Sequence, residues 1–189
     1  MNYCKNCLST DLRPQAIFED GFCLPCQFIA TKEKVSPQVK FKILQEKFKA
    51  SRKRQKNKGA YDCIVGVSGG KDSTRQAHWV RDRLGLRPLI VCCGYTPKQM
   101  SKVGAKNLSN LMSMGFDVII ATPAPETAAV LALKSFKQFG NVCKSTEMSL
   151  FSTVPRLAIE LGVNTLFWGE NPALAVGDNA VEGQDEFDG

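Results

Sequence analysis

The chain has 189 residues, of which 43% are hydrophobic and 23% charged. That is the size and make-up of one globular core with a small appendage, and it excludes collagen, low-complexity disorder and a long coiled coil. No run of about 18 apolar residues occurs, so membrane insertion through a helix is not expected. Met1-Asn2-Tyr3-Cys4-Lys5 lacks the apolar core of a secretory signal, which makes a cytoplasmic protein the expectation.

The net charge of +7 is unevenly placed. Residues 1–61 hold 13 Lys/Arg against 5 Asp/Glu, while residues 62–189 hold 12 against 13. The excess positive charge therefore belongs to the N-terminal third. It is either a solvated basic helix or a surface for an anionic partner such as RNA, a nucleotide-sugar or an acidic protein.

Residues 1–30 read as a separate module. Its cysteines follow C-x2-C-x15-C-x2-C through Cys4, Cys7, Cys23 and Cys26, with bends at Pro14 and Asp20-Gly21. Four thiolates at this spacing suit one tetrahedral zinc ion, with no ligand position left open, so the site reads as structural. So small a module buries little core, and metal binding would supply most of its folding free energy. A redox dithiol is the rival reading of a C-x2-C pair.

Residues 31–60 read as a basic helix and linker. Ser36 is the expected N-cap, Pro37 the first helical residue, and Phe41, Leu44 and Phe48 form one apolar stripe. The basic run from Lys49 to Lys58 is expected to fray into the linker.

From residue 61 to about 180, strands and helices alternate. The first strand is Asp62–Val67, followed by a helix Asp72–Leu84. The second strand is Pro88–Cys93, followed by a helix Pro97–Met114 capped by Thr96. The third strand is Phe116–Ala121, followed by helices at Glu126–Phe139 and Ser149–Leu161. A fourth strand spans Asn164–Trp168. This order predicts an α/β fold, a parallel sheet with helices on both faces. Residues 181–189 form an acidic tail without periodicity.

Ser68-Gly69-Gly70-Lys71-Asp72-Ser73 lies between the first strand and its helix. Glycines let the backbone approach a phosphate, and N–H groups at a helix start point at the anion. Ser68 and Ser73 add hydroxyls and Lys71 adds charge. The motif is not a Walker A sequence, because Val65 stands five before Gly70 and Asp72 follows Lys71. An acid inside the turn suits magnesium or pyrophosphate handling. The bland alternative is a glycine turn that merely starts a helix.

This segment resembles the PP-loop of the ATP pyrophosphatase superfamily, whose fold is adenine nucleotide alpha hydrolase-like. The resemblance implies cleavage of ATP between its α and β phosphates, adenylation of a substrate oxygen, and displacement of AMP by a nucleophile. The four-cysteine module, the stretch Tyr61–Ala77, Gly140–Glu147 and Gly169-Glu170-Asn171-Pro172 are together similar to the N-acetyl sugar amidotransferases of surface polysaccharide (lipopolysaccharide O-antigen) biosynthesis. Members of that family are substantially longer, so the chain is expected to lack a C-terminal part.

The resemblance implies the following roles. Ser68, Gly69, Gly70, Lys71, Asp72 and Ser73 would hold ATP and its pyrophosphate, with Lys71, Asp72 and Glu170 catalytic and Asp72 or Glu170 serving Mg2+. Lys144, Ser145, Glu147 and Asn171 are candidates for binding the substrate. Glu170 alternatively is an exposed loop acid, and Lys144, Ser145 and Glu147 alternatively cap the helix they precede. The substrate would be a nucleotide- or lipid-linked N-acetyl sugar, with ammonia delivered by a separate glutaminase and a synthase-like subunit. His78, the single histidine, reads as a helix-surface or packing residue.

Zinc modules, PP-loops and basic surfaces also occur together in tRNA thiolation enzymes. On that reading Cys92, Cys93 and Cys143 would carry sulfur or an iron–sulfur cluster, and the basic helix would contact tRNA phosphates. Against it, Cys92 and Cys93 lie in an apolar strand, where cysteine is commonly a small buried hydrophobe. Cys143 has no C-x2-C partner, and the helix lacks interleaved aromatics for base stacking.

Overall fold

The computed structural model describes residues 1–12, 16–31, 36–54 and 59–169. Pro14, the end of the basic run and the acidic tail lie outside them. The described chain divides into two compact units, residues 1–40 and 41–169.

In the first unit, β1 (Phe18–Glu19) and β2 (Phe22–Cys23) form an antiparallel hairpin. Asp20 and Gly21 turn the corner with φ of 52° and 84°. Positive φ at both central residues is the type I′ geometry that matches strand twist, and Asp-Gly suits it best. Helix α1 (Leu24–Thr31) follows directly. The sequence reading gives no helix here, because eight residues starting Leu-Pro-Cys carry no clear periodicity.

Helix α2 (Pro37–Arg54) begins as expected: the Val39 N–H donates to Ser36 Oγ at 3.3 Å. Its aromatic stripe is used in the second unit. Phe41 meets Trp79 edge-on at 5.7 Å, and Phe48 packs on Phe167 at 5.0 Å. The basic side chains Lys42 and Lys49 stay exposed.

The second unit is a four-stranded parallel sheet in the order β5-β4-β3-β6, with helices on both faces. Its elements are β3 (Cys63–Gly66), α3 (Lys71–Asp82), β4 (Pro88–Cys93), α4 (Lys102–Ser113), β5 (Asp117–Ala121), α5 (Pro125–Phe139), α6 (Lys144–Leu161) and β6 (Leu166–Phe167). Strand alternation sorts the core into two layers. Cys63, Val65, Ile90 and Cys92 face Ala77 and Val80 of α3 and Leu108 and Leu111 of α4. Ile64, Leu89 and Val91 face Val154 and Ala158 of α6. Helix α5 packs against α6.

Most boundaries shift by one or two residues from the sequence reading, and three elements differ by more. The second helix starts at Lys102 rather than Pro97, and its cap is Ser101 rather than Thr96: Ser101 Oγ accepts the Gly104 N–H at 3.0 Å. Thr96 is buried and closes a separate turn, its carbonyl accepting from Gln99 and Met100. The last helix starts at Lys144, not Ser149. The Cys143 N–H donates to Asn141 Oδ1 at 2.8 Å and the Cys143 carbonyl accepts from Glu147 at 3.0 Å. The polar run Lys144-Ser145-Thr146-Glu147 shows no apolar period, so the pattern hides that first turn. The last strand shortens to two residues, Leu166 and Phe167.

Ile90 is fully buried in the central layer. Replacing it with Ala should cost about 2–5 kcal/mol, read as a lower urea midpoint with an unchanged slope.

Candidate functional site

Sheet order decides where a ligand can enter. From β3 the chain runs outward through β4 to β5, and then returns to place β6 on the other side of β3. The connections diverge at β3, so a crevice opens beyond its carboxyl end, where open α/β sheets bind ligands. The Ser68–Ser73 turn occupies that point. Every strand of the sheet is parallel, so Gly94, Thr122 and Trp168, which follow β4, β5 and β6, leave at the same edge. Helix α6 runs toward β6, which brings its N-terminus and Lys144, Ser145 and Glu147 to that edge as well.

The turn is held by its own hydroxyls. The Ser68 N–H donates to Ser73 Oγ at 3.3 Å, Ser73 Oγ donates to the Gly70 carbonyl at 3.3 Å, and the Gly70 N–H donates to Ser68 Oγ at 3.4 Å. Gly69 has φ of 78° and is buried against α4. A Cβ there would lie 3.2 Å from Asn107 Cβ. Glycine is thus required twice over, by conformation and by space. Gly70 stands at the N-cap of α3 and supplies no side chain to cap it. The first-turn N–H groups of α3 are therefore not engaged by a cap side chain, and together with the helix dipole they favour an anion.

Lys71 and Asp72 sit at the mouth of this cradle. Lys71 Nζ lies 2.6 Å from Asp72 Oδ2, and both side chains are more than four-fifths exposed. An exposed pair like this contributes little and opens easily. Both groups are free to turn toward a phosphate and a cation.

The other candidates are placed as follows. Lys144 and Glu147 are exposed in the first turn of α6 and Ser145 is half-buried there. They belong to the helix rather than preceding it. The loop that delivers them is fastened: buried Ser135 donates through Oγ to the Asn141 carbonyl at 2.7 Å, and Gly140 ends α5 with φ of 65°. Glu170 and Asn171 lie outside the described residues. His78 contacts Asp82, Arg81 and Met114 and packs edge-on against Phe116, a packing role. Cys92 is buried, and that burial, with Cys93 beside it, pushes its thiol up to about 11. It is a core side chain. Cys143 is exposed at the N-cap of α6.

One contact at this edge escapes motif reasoning. Gln76 Nε2 of α3 donates to the Trp168 carbonyl at 2.8 Å, across 92 residues. The available signal was its position three residues after Ser73, on the same helix face.

In the first unit the four cysteine sulfurs all lie within 4.8 Å of one another. A single tetrahedral ion with metal–sulfur bonds of about 2.3 Å sets its ligands about 3.8 Å apart. The first pair turns so that backbone N–H groups face its sulfurs: Asn6 and Cys23 donate to Cys4 Sγ at 3.4 and 3.3 Å, and Ser9 donates to Cys7 Sγ at 3.5 Å. Burial would raise the Cys4 thiol, but the N–H groups of Cys23, Asn6 and Cys7 outweigh it and bring it down to about 6. Burial pushes the Cys23 thiol up to about 12. The residues fit one thiolate-bound ion, which would cross-link the two cysteine pairs.

No protein-family model and no curated protein matches the chain. Solved structures do match it. The glutamine-dependent NAD+ synthetase of Acinetobacter baumannii, solved with ADP, aligns with a TM-score of 0.50 at 21% identity over 70% of this chain and 25% of that one. The NMN synthetase of Francisella tularensis aligns with a TM-score of 0.50 at 16% identity over 74% of this chain and 57% of that one. The U34-tRNA thiolase NcsA of Methanococcus maripaludis, solved with its [4Fe-4S] cluster, gives 0.45 at 16% identity over 92% and 56%. The chain shares the fold of the two synthetases. It spans a quarter and somewhat over half of their respective lengths.

The thiol shifts set a pH dependence. A depressed thiolate contributes above its ordinary value and loses that contribution as pH falls through its folded value. Cys4, at about 6, should therefore stay a ligand to near pH 6, and ligation carries it lower still. Zinc added to the protein should bind at pH 7.5 with proton release, and its affinity should fall as pH is lowered, because the thiolates must be reprotonated. Cys23→Ser should abolish tight zinc binding, read by a chromogenic chelator.

Proposed function

We propose that the chain is the ATP-binding part of an ATP-dependent amidotransferase of the PP-loop superfamily, acting on the N-acetyl group of a sugar. The observation that supports it most is the serine-locked Gly69-Gly70 turn at the point where the sheet's connections diverge. The shared fold with an NAD+ synthetase solved with ADP supports an adenine nucleotide as the ligand.

The chemistry follows from the substrate. An amide carbonyl is a poor electrophile, because nitrogen donates into it and oxide is not a viable leaving group. Attack of the amide oxygen on the α-phosphorus of ATP forms a C–O–P bond and breaks the bond to pyrophosphate. The activated carbon then accepts ammonia, loses a proton and expels AMP, leaving an acetamidino group. The protein's part is alignment and charge stabilisation. The Gly69 and Gly70 amides, the Ser68 and Ser73 hydroxyls and the Lys71 ammonium would hold the departing pyrophosphate. Asp72 would carry Mg2+, which neutralises phosphate charge when bound. Glu170 and Asn171, with Lys144, Ser145 and Glu147, would meet the sugar or its carrier.

The metal of the cysteine module would be Zn2+, since the sulfur spacing fits one ion. In a four-iron cluster each thiolate sits on a different iron, which holds the sulfurs farther apart. Ammonia would come from a glutaminase and a synthase-like subunit, and the sugar would be nucleotide- or lipid-linked. Among the described residues no helix is long and apolar enough to cross a membrane, and we place this reaction in the cytoplasm.

One observation favours a second reading, ATP-dependent tRNA thiolation: Cys143 is exposed at the N-terminus of α6, on the same edge as the cradle. A thiol there would be placed to carry sulfur.

The readings separate on one set of assays. Pyrophosphate should be released only when a linked N-acetyl sugar and ammonia are both present. Lys71→Ala and Gly69→Ala should each lower that rate by roughly 10²-fold or more. Cys143→Ser should leave amidine formation unchanged. Loss of sulfur transfer to tRNA in Cys143→Ser would favour thiolation, and release of phosphate alone from ATP would overturn both.

A further inference from the structure

The chain leaving β6 must be held in a fixed place beside the cradle if both are to act on one substrate. Strand β6 is too short to do this alone. It pairs with β3 only through Ile64 with Leu166 and Val65 with Phe167. The next residue, Trp168, is where the backbone leaves the sheet.

That point is gripped from two sides. On the α6 side the Trp168 ring stacks on Phe151 at 5.6 Å and 20°. It also lies against Gly66, where a Cβ would meet the ring at 3.5 Å. On the α3 side the Gln76 amide donates to the Trp168 carbonyl at 2.8 Å. Gln76 sits one turn after Ser73, whose hydroxyl closes the cradle. The grip on the β6 exit and the lock on the cradle therefore share one face of one helix.

The amide has a second, unexplained arm. A carbonyl only accepts, so the arm at Trp168 must be the NH2 group and cannot be exchanged for the oxygen. Gln76 Oε1 is buried and accepts no hydrogen bond from the described residues. It faces Gly169, where a Cβ would lie 3.8 Å from it. An unpaired buried acceptor is costly. A methionine or leucine would pack in this place without that cost. Among the described residues the amide's one hydrogen bond runs to the end of β6.

We propose that Gln76 is a positioning residue that couples the cradle helix to the chain leaving β6, so that a nucleotide seated on the Ser68–Ser73 turn also orders the Trp168-Gly169 corner. The coupling rests on the reading of that turn as a nucleotide site. Anchoring the start of α3 with an anion stiffens its first two turns, and the amide transmits this to the Trp168 carbonyl.

The test uses the 189-residue protein, magnesium and an ATP analogue with a methylene between the α and β phosphorus atoms. Calorimetry gives the analogue's affinity, and amide hydrogen exchange reports residues 165–169. In the wild type, bound analogue should slow exchange there by roughly 10-fold, the range of a typical coupling between sites. Gln76→Met should bind the analogue within about twofold of the wild type and lose the slowing. Gln76→Glu should lack the slowing at pH 8 and regain it as pH falls toward about 4.5, the ordinary range of a glutamate carboxyl, with bound and free protein compared at each pH, because only the protonated carboxyl can donate to the Trp168 carbonyl. This acid-side recovery is not expected of a residue that merely fills space, and it decides the matter if Gln76→Met fails to fold. Undiminished slowing in Gln76→Met, or none in wild type with the analogue bound, would overturn the coupling alone. No binding of the analogue by the wild type would overturn the nucleotide reading of the cradle and the coupling with it.

Discussion

The second unit is organised around a backbone constraint at one residue. Gly69 must take a left-handed conformation while wedged against α4, so that the chain leaving β3 can reverse into α3 within four residues. Only that reversal puts the first N–H groups of α3 over the carboxyl edge of the sheet. The rest of the unit supports it. Two apolar layers fix β3 in the centre, and two serine hydroxyls brace the turn. The α5–α6 corner brings a second helix start to the same edge. Charge enters last, as an exposed and easily opened Lys71–Asp72 pair.

The first unit obeys a different constraint. It has almost no buried apolar material beyond Cys4 and Cys23 among the described residues. What it has is geometry at sulfur. The I′ hairpin delivers Cys23, the first turn of α1 delivers Cys26, and backbone amides face the sulfurs of Cys4 and Cys7. These contacts favour thiolates, whereas burial of Cys23 favours its proton. The two tendencies oppose each other until a cation replaces the proton. A bound metal ion would thereby become part of the fold of this unit.

Much of this was legible in the residues. The C-x2-C pairs and the Ser-Gly-Gly-Lys-Asp-Ser turn depend on local spacing, and local spacing is what a sequence displays. The alternation of buried runs with 3.6-period segments announced the parallel sheet, and Ser36 and Pro37 announced α2. Failures occurred where a side chain redirected the backbone without an apolar signature. Ser101 rather than Thr96 caps α4, because Thr96 is spent on a turn of its own. Asn141 starts α6 five residues early. Gln76 is harder to read for another reason: its place one turn after Ser73 sets it on the cradle's helix face, but its partner lies 92 residues away and no local pattern points to it.

The pairing of β3 with β6 has a consequence for how the unit comes into being. Ile64 meets Leu166, a closure of about 100 residues that must be made by a two-residue strand. Strands β3, β4 and β5 can assemble from shorter crossovers while synthesis is still under way. The last strand can dock only after Phe167 has left the ribosome, well after the other three strands. Until then the Ser68–Ser73 turn stands complete on one side and bare on the other. A nascent chain would thus be able to hold an anion before it is able to use one.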